Sequence, residues 1–184
     1  LASDQEVFRA FTEETGIAIN LVEADGDLLI ERVRADGERS PADVIITVDA
    51  GRLHRAEQAG LFQPVDNLGG MLDRVPDSLV HPDNLWFGFA TRARVIVYAR
   101  DRVDPSEVQT YADLARPEFE GRVCVRSSSN VYNQSLVAGM IAEDGSEAAE
   151  SFARGIAQNL ARTPQGGDTD QIRAVAAGEC DVAI

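Results

Sequence analysis

The stretch Gly121-Arg-Val-Cys-Val-Arg-Ser-Ser-Ser-Asn-Val-Tyr-Asn-Gln-Ser135 constrains the fold more than any other. A short apolar strand runs into a polar turn, and the turn opens a helix. Val123 to Val125 are β-branched or small and apolar, Ser127 to Asn130 are all good helix N-caps, and Leu136-Val-Ala-Gly-Met-Ile141 continues with helical spacing. This pattern puts Tyr132 in the first helical turn. In an α/β protein, ligands bind in the crevice at the carboxyl ends of the strands, where helix N-termini gather free N–H groups. An ordinary cap needs one polar residue. The run from Ser127 to Asn130, followed by Tyr132, Asn133 and Gln134, favours a binding site over a cap with a surface tyrosine.

The rest of the chain alternates helices and strands, as an α/β fold requires. Asp4 to Thr15 reads as a helix with Val7, Phe8 and Phe11 on one face and Gly16 as its stop. Ile17 to Val22 reads as a strand, Asp27 to Asp36 as an amphipathic helix, and Asp43 to Thr47 as a parallel strand covered on both faces. Gly51 to Ala59 is a helix ending at Gly60. Leu61 to Leu79 is a loop punctuated by Pro64, Gly69, Gly70 and Pro76. Trp86 to Phe89 and Arg94 to Tyr98 read as strands, and Ser146 to Ala161 as a helix. Asp168 or Thr169 caps a further helix, with Gln171 as the capping-box partner of Asp168 and Gly178 as the stop. Glu179 to Ile184 begins a last strand, and a chain that stops inside a strand reads as a fragment.

Composition excludes some partners. The 184 residues, 44% of them hydrophobic, are enough to bury a core in one domain or two small ones. A formal charge of −14 with no basic cluster repels phosphate backbones, so no nucleic acid is expected; the same field mildly favours cations. No apolar run approaches the ~20 residues of a membrane span, and no signal-peptide pattern stands at the start, so the chain reads as cytosolic or already processed. Cys124 and Cys180 fit neither a disulfide-dense scaffold nor a zinc site and remain a single candidate pair.

Five segments in order carry a resemblance: Ser40 to Ala50, Gly60 to Pro64, Trp86 to Val95, Arg126 to Leu136, and Pro164 to Ile172. Together they resemble the ferric-iron-binding periplasmic proteins of bacterial ABC transporters, over nearly the whole chain. The resemblance implies a two-lobed periplasmic-binding-protein type II fold, present here as a fragment without its first strand and its C-terminal return. Residues 1–97 would contribute to the first lobe and 98–184 to the second. It also implies an exported, mature periplasmic protein with its signal peptide removed, which captures Fe3+ between the lobes through tyrosine phenolates and hands it to a membrane permease without catalysing a reaction or inserting into the membrane.

Ferric iron is a hard cation that suits anionic oxygen donors. Tyr132 matches a tyrosine that ligates the metal in this family, and Arg92 matches a cleft arginine supporting the ligands. The branch with a carboxylate ligand has a glutamate after Thr47, where this chain has Val48; that favours the tyrosine-rich branch. In that branch a His-Tyr pair would end at Leu1, and paired tyrosines would follow Ile184. The strands of Cys124 and Cys180 would lie close together, leaving either a disulfide or two buried thiols.

The other candidates read as structural. His54 and His81 have no second ligand at metal spacing, Tyr98 and Tyr111 read as packing residues, and Ser127 to Ser129 lack a nucleophile elbow. A competing reading remains: an enzyme, or a binding protein for another small ion, that uses the Ser127–Tyr132 turn. A ferric tyrosinate protein would be coloured and an anion-handling enzyme colourless.

Overall fold

The computed structural model describes residues 2–66 and 70–184, which divide into two compact units, 1–46 and 47–184. Leu1, expected at a ligand position, and Gly69, expected in a loop, lie outside the described residues.

The first unit holds two helices, α1 (Ala2–Thr15) and α2 (Gly26–Asp36). Asp25 caps α2 by accepting from the Asp27 N–H at 2.9 Å, and Ile30 is its buried residue. Both helices fall where periodicity places them. The strands expected at 17–22 and 43–47 do not form ladders among the described residues. They hold no regular element, and Val44 and Ile46 are each 76% exposed. An apolar run becomes a strand only when a neighbour takes its N–H and C=O groups, so composition alone over-reads it.

The second unit holds α3 (Ala50–Gln58), α4 (Val131–Asp144), α5 (Ser146–Gln158), α6 (Asp168–Ala177) and the short strands β1 (Val97–Tyr98), β2 (Val123–Cys124) and β3 (Val182–Ala183). The sheet order is β1-β3-β2. β3 runs antiparallel to β1, pairing Val97 with Ala183, and parallel to β2, pairing Val123 with Val182. Phe87 makes a single antiparallel bridge to Val80 where a strand was expected at 86–89. The core forms around β3: Leu114, Phe119, Val123 and Val182 are all 1% exposed or less, with Phe152 of α5 packed on them. α5 approaches the 3₁₀ turn Tyr111–Ala115 so closely that a Cβ on Gly155 would lie 2.5 Å from the Ala115 carbonyl oxygen, and only glycine fits there. The buried Asn159 amide closes the same junction by donating to the carbonyls of Leu114 and Arg116 at 2.8 and 2.6 Å.

α6 starts differently from the expectation. Gly167 is the N-cap residue, and the Asp170 carboxylate accepts from its N–H at 2.8 Å. Gln171 is buried and donates to the carbonyls of Gln165 and Gly167 at 2.6 and 3.1 Å. Asp168, displaced from the cap, becomes free to point elsewhere. Gly178 ends the helix with left-handed φ 78. Cys124 and Cys180 are joined as a disulfide, with Sγ atoms 2.09 Å apart, tying β2 to the segment after α6.

Candidate functional site

The turn after β2 is built to present Tyr132. Asn130 accepts from the Tyr132 N–H at 3.0 Å and so caps α4. The Asn133 side-chain amide donates to the carbonyls of Arg126 and Ser127 at 2.9 and 3.2 Å, and Gln134 donates to Ser129 at 3.2 Å. Ser127 and Ser129 hydroxyls lie 2.8 Å apart and bond each other. The turn therefore spends much of its polarity on its own shape. What it leaves facing outward is the half-buried Tyr132 ring.

Three arginines converge on that ring. Arg92 Nη1 lies 3.3 Å from Tyr132 Oη, so the two residues singled out in the sequence meet. The guanidinium carbons of Arg126 and Arg94 lie 5.2 and 5.6 Å from the ring centroid, within the ~6 Å reach of a cation–π contact. Asp168 at the start of α6 accepts from both through one oxygen: Arg126 Nη1 at 2.9 Å and Arg94 Nη1 at 3.4 Å from Oδ1. Arg94 is further fixed by donating to Asn133 Oδ1 at 3.1 Å and to the Ile184 carbonyl at 3.3 Å. The Tyr111 hydroxyl donates to its carbonyl. The Nε atoms of Arg94 and Arg126 are buried and have no hydrogen-bond partner among the described residues.

A second contact sets α4 against α3. The Ser135 hydroxyl, one turn beyond Tyr132, donates to Asp49 Oδ1 at 2.5 Å, and the same oxygen caps α3 by accepting from the Gly51 N–H at 2.8 Å. Asp49 holds φ 78, a sparsely allowed value for a residue with a side chain. Beside Val48, where a carboxylate ligand was sought, a carboxylate is thus present but occupied.

The remaining candidates have structural roles. His81 Nε2 lies 3.3 Å from Glu57 Oε1, and its ring sits 5.3 Å from that of Trp86, whose Nε1–H donates to Glu57 Oε2 at 3.1 Å. The Trp86 bond, assisted by His81, holds the Glu57 carboxyl below its ordinary pKa despite burial. His54 is exposed on α3, and Tyr98 and Tyr111 pack against the core. Among the described residues no group of three or more His, Cys, Asp or Glu is placed to hold a metal. Sequence reasoning missed Arg94, Arg126 and Asp168. The signal available was weak: Arg94 stands two residues from Arg92, on the same side of an extended segment.

Comparison with known proteins places the chain in a family. The family model for bacterial extracellular solute-binding proteins matches residues 39–183, and the chain belongs to that family. Iron uptake protein A1 of Synechocystis sp. is 51% identical over 183 residues, covering 99% of this chain and 50% of the relative. The solved structure of Trichodesmium FutA (IdiA) in complex with iron and citrate superimposes with a TM-score of 0.90 at 49% identity, over 100% of this chain and 58% of that one. A ferric binding protein from Campylobacter jejuni matches with a TM-score of 0.93 at 39% identity, over the same shares of each chain. The α/β fold is that of the type II periplasmic binding proteins. The chain spans about half the length of the curated relatives it matches.

Proposed function

We propose that the whole protein is a periplasmic solute-binding protein that captures ferric iron in a cleft between two lobes and delivers it to an ABC permease. Residues 1–97 contribute to the first lobe and 98–184 to the second. Tyr132 supplies a phenolate ligand, and Arg92 steadies the phenolate oxygen. The observation that carries the reading is the 3.3 Å approach of Arg92 Nη1 to Tyr132 Oη at the mouth of a strand-to-helix turn. Relatives named as iron uptake and Fe(3+)-binding periplasmic proteins support it.

The chemistry follows from charge. A phenol gives up its proton to a trivalent metal, so binding releases protons, and a guanidinium hydrogen-bonded to the resulting oxyanion fixes its direction without competing as a donor. One phenolate does not complete a ferric shell. The Ile184 carbonyl accepts from Arg94 at 3.3 Å, which puts Ile184 at the edge of the Tyr132 cluster. There the paired tyrosines expected beyond Ile184 join the site, with a His-Tyr pair from the first lobe. An enzyme built on the Ser127–Tyr132 turn is disfavoured by its Ser127 and Ser129 hydroxyls, which are bonded to each other.

The test is Tyr132→Phe in a protein of the relatives' length. Replacing the phenol by a phenyl ring keeps the packing and removes the oxygen. Ferric affinity should drop by well over the ~10-fold that even an outer-shell partner contributes, and the visible phenolate-to-iron band should shift or bleach. Unchanged affinity and an unchanged band would remove Tyr132 from the ligand set.

A further inference from the structure

We infer that Asp168, Arg94 and Arg126 form an electrostatic clamp that orients the Tyr132 ring and tunes the charge it carries, with Asp168 as the positioning residue. The inference rests on the reading of Tyr132 as a ferric ligand and adds three residues to it. Two guanidinium groups lie within cation–π range of one ring, and a single carboxylate oxygen holds both of them. The two arginines are not equally secured. Arg94 has Asn133 and the Ile184 carbonyl besides Asp168, whereas among the described residues the Arg126 guanidinium donates to Asp168 and its buried Nε has no acceptor. Asp168 therefore governs where Arg126 sits.

The loop before α6 is shaped for this. Gly166 holds φ 71, and a Cβ there would come within 2.7 Å of the Asp170 carboxylate. Asp170 in turn takes the Gly167 N–H, the capping task that would otherwise fall to Asp168. Asp168 is left half-exposed at the helix start with its carboxylate on the two arginines rather than on its own helix.

The clamp's consequence has a sign. A cation beside a phenolate stabilises the electrons that the ring donates, so moving one of them to iron takes more energy; an anion beside that cation partly cancels the effect. Arg126→Met, which removes the cation but keeps an apolar chain, should move the ferric band of the full-length protein to longer wavelength and weaken iron about two- to fivefold. Asp168→Asn, which keeps an oxygen for Arg126 but drops the counter-charge, should move the band the opposite way. Arg126→Lys, which keeps the charge, should leave it near the parental position. A merely structural role predicts weaker binding in both variants with no opposed shifts, so two bands at the parental wavelength, or two shifts of the same sign, would overturn the clamp.

Parental protein that shows no visible band with ferric citrate would instead remove the ferric reading itself. The metal-free protein supplies an arm that survives that outcome. With carbon-13-labelled tyrosine, and the Tyr132 signals picked out by their loss in Tyr132→Phe, Arg126→Met should shift the Tyr132 ring signals and speed its flipping. Ring signals identical to the parent would overturn the clamp with or without iron.

Discussion

The two ends of α6 each bring a pair of arginines to one aspartate, and they do so to opposite purpose. Beyond its C-terminal end, Asp181 receives Arg102 Nε on one oxygen at 2.6 Å and Arg122 Nε on the other at 2.7 Å. The leftover donors are also used: Arg102 reaches the Val175 carbonyl at 2.8 Å and the Asp101 carboxylate at 3.4 Å, and Arg122 the carbonyls of Glu118 and Arg102 at 3.1 Å each. That cluster is closed. At the N-terminal end, Asp168 crowds two arginines onto a single oxygen, stays 53% exposed, and leaves two buried Nε atoms with no partner among the described residues. A saturated ion pair holds a fold together, whereas unspent donors around an aromatic ring are what a ligand can use.

The largest effect expected from this contrast lies at the closed end. The Cys124–Cys180 bridge spans 56 residues and sits next to Asp181, so chain-entropy reasoning assigns it about 4 kcal/mol. Cys124→Ser/Cys180→Ser in the full-length protein should lower unfolding stability by that order while leaving the colour of the iron-loaded folded state intact. A double variant that melts like the parent, or one that keeps its stability and loses its colour, would show that the closed end is not the structural one. Denaturant unfolding and a visible spectrum on the same sample distinguish these results.

Next in size is Asp181 itself. Asp181→Ala strands two guanidinium groups against partly buried surface. With a fifth of the Asp181 side chain still exposed, at 20%, the cost falls below the range for fully buried pairs, at about 2–3 kcal/mol. Its dependence on pH has a definite direction. Burial acts to raise the Asp181 pKa, but the hydrogen bonds and charges of Arg122 and Arg102 outweigh it and hold the group below its ordinary value. A carboxylate with a depressed folded pKa contributes its full stability above the unfolded value, about 3.9, and loses it as pH falls through the lower folded value. The stability gap between parent and Asp181→Ala should therefore be constant from neutral pH down to about 4 and close below it. A gap that closes near neutral pH instead would assign the effect to another group.

How much of this was legible in the sequence depended on how local the determining interactions are. Helix ends were readable because caps and stops act within a few residues: α1, α2, α4 and α5 begin or end within a few residues of where polarity and glycine place them. Strands were readable only in part: Val97–Tyr98, Val123–Cys124 and Val182–Ala183 lie inside expected strands, whereas Ile17 to Val22 and Asp43 to Thr47 carry strand composition without a pairing partner among the described residues. Gln171 was misassigned because a capping box can be written with Asp168 at its head, whereas burying Gln171 moved the cap to Gly167. At the site, the family pattern singled out Tyr132 and Arg92. Asp168 meets Arg126 across 42 residues and Arg94 across 74, and no spacing rule spans such distances.

The smallest expected effect is the one that sharpens the comparison most. Asp168→Ala should change unfolding stability by only about 0.5 kcal/mol, because an ion pair around a carboxylate that is 53% exposed gains little once solvent screening and side-chain entropy are counted. Asp181→Ala, with the same residue types on both sides of the pair, should cost several times more. The ratio separates geometry from composition: two arginines and an aspartate recur at both ends of one helix, and saturation and burial decide which cluster stabilises. Thermal unfolding of the two variants side by side, in metal-free full-length protein, reads it directly. Equal losses at Asp168 and Asp181 would mean that the Asp168 cluster is a structural pair after all, and that its unspent donors are filled from a part of the protein beyond these residues.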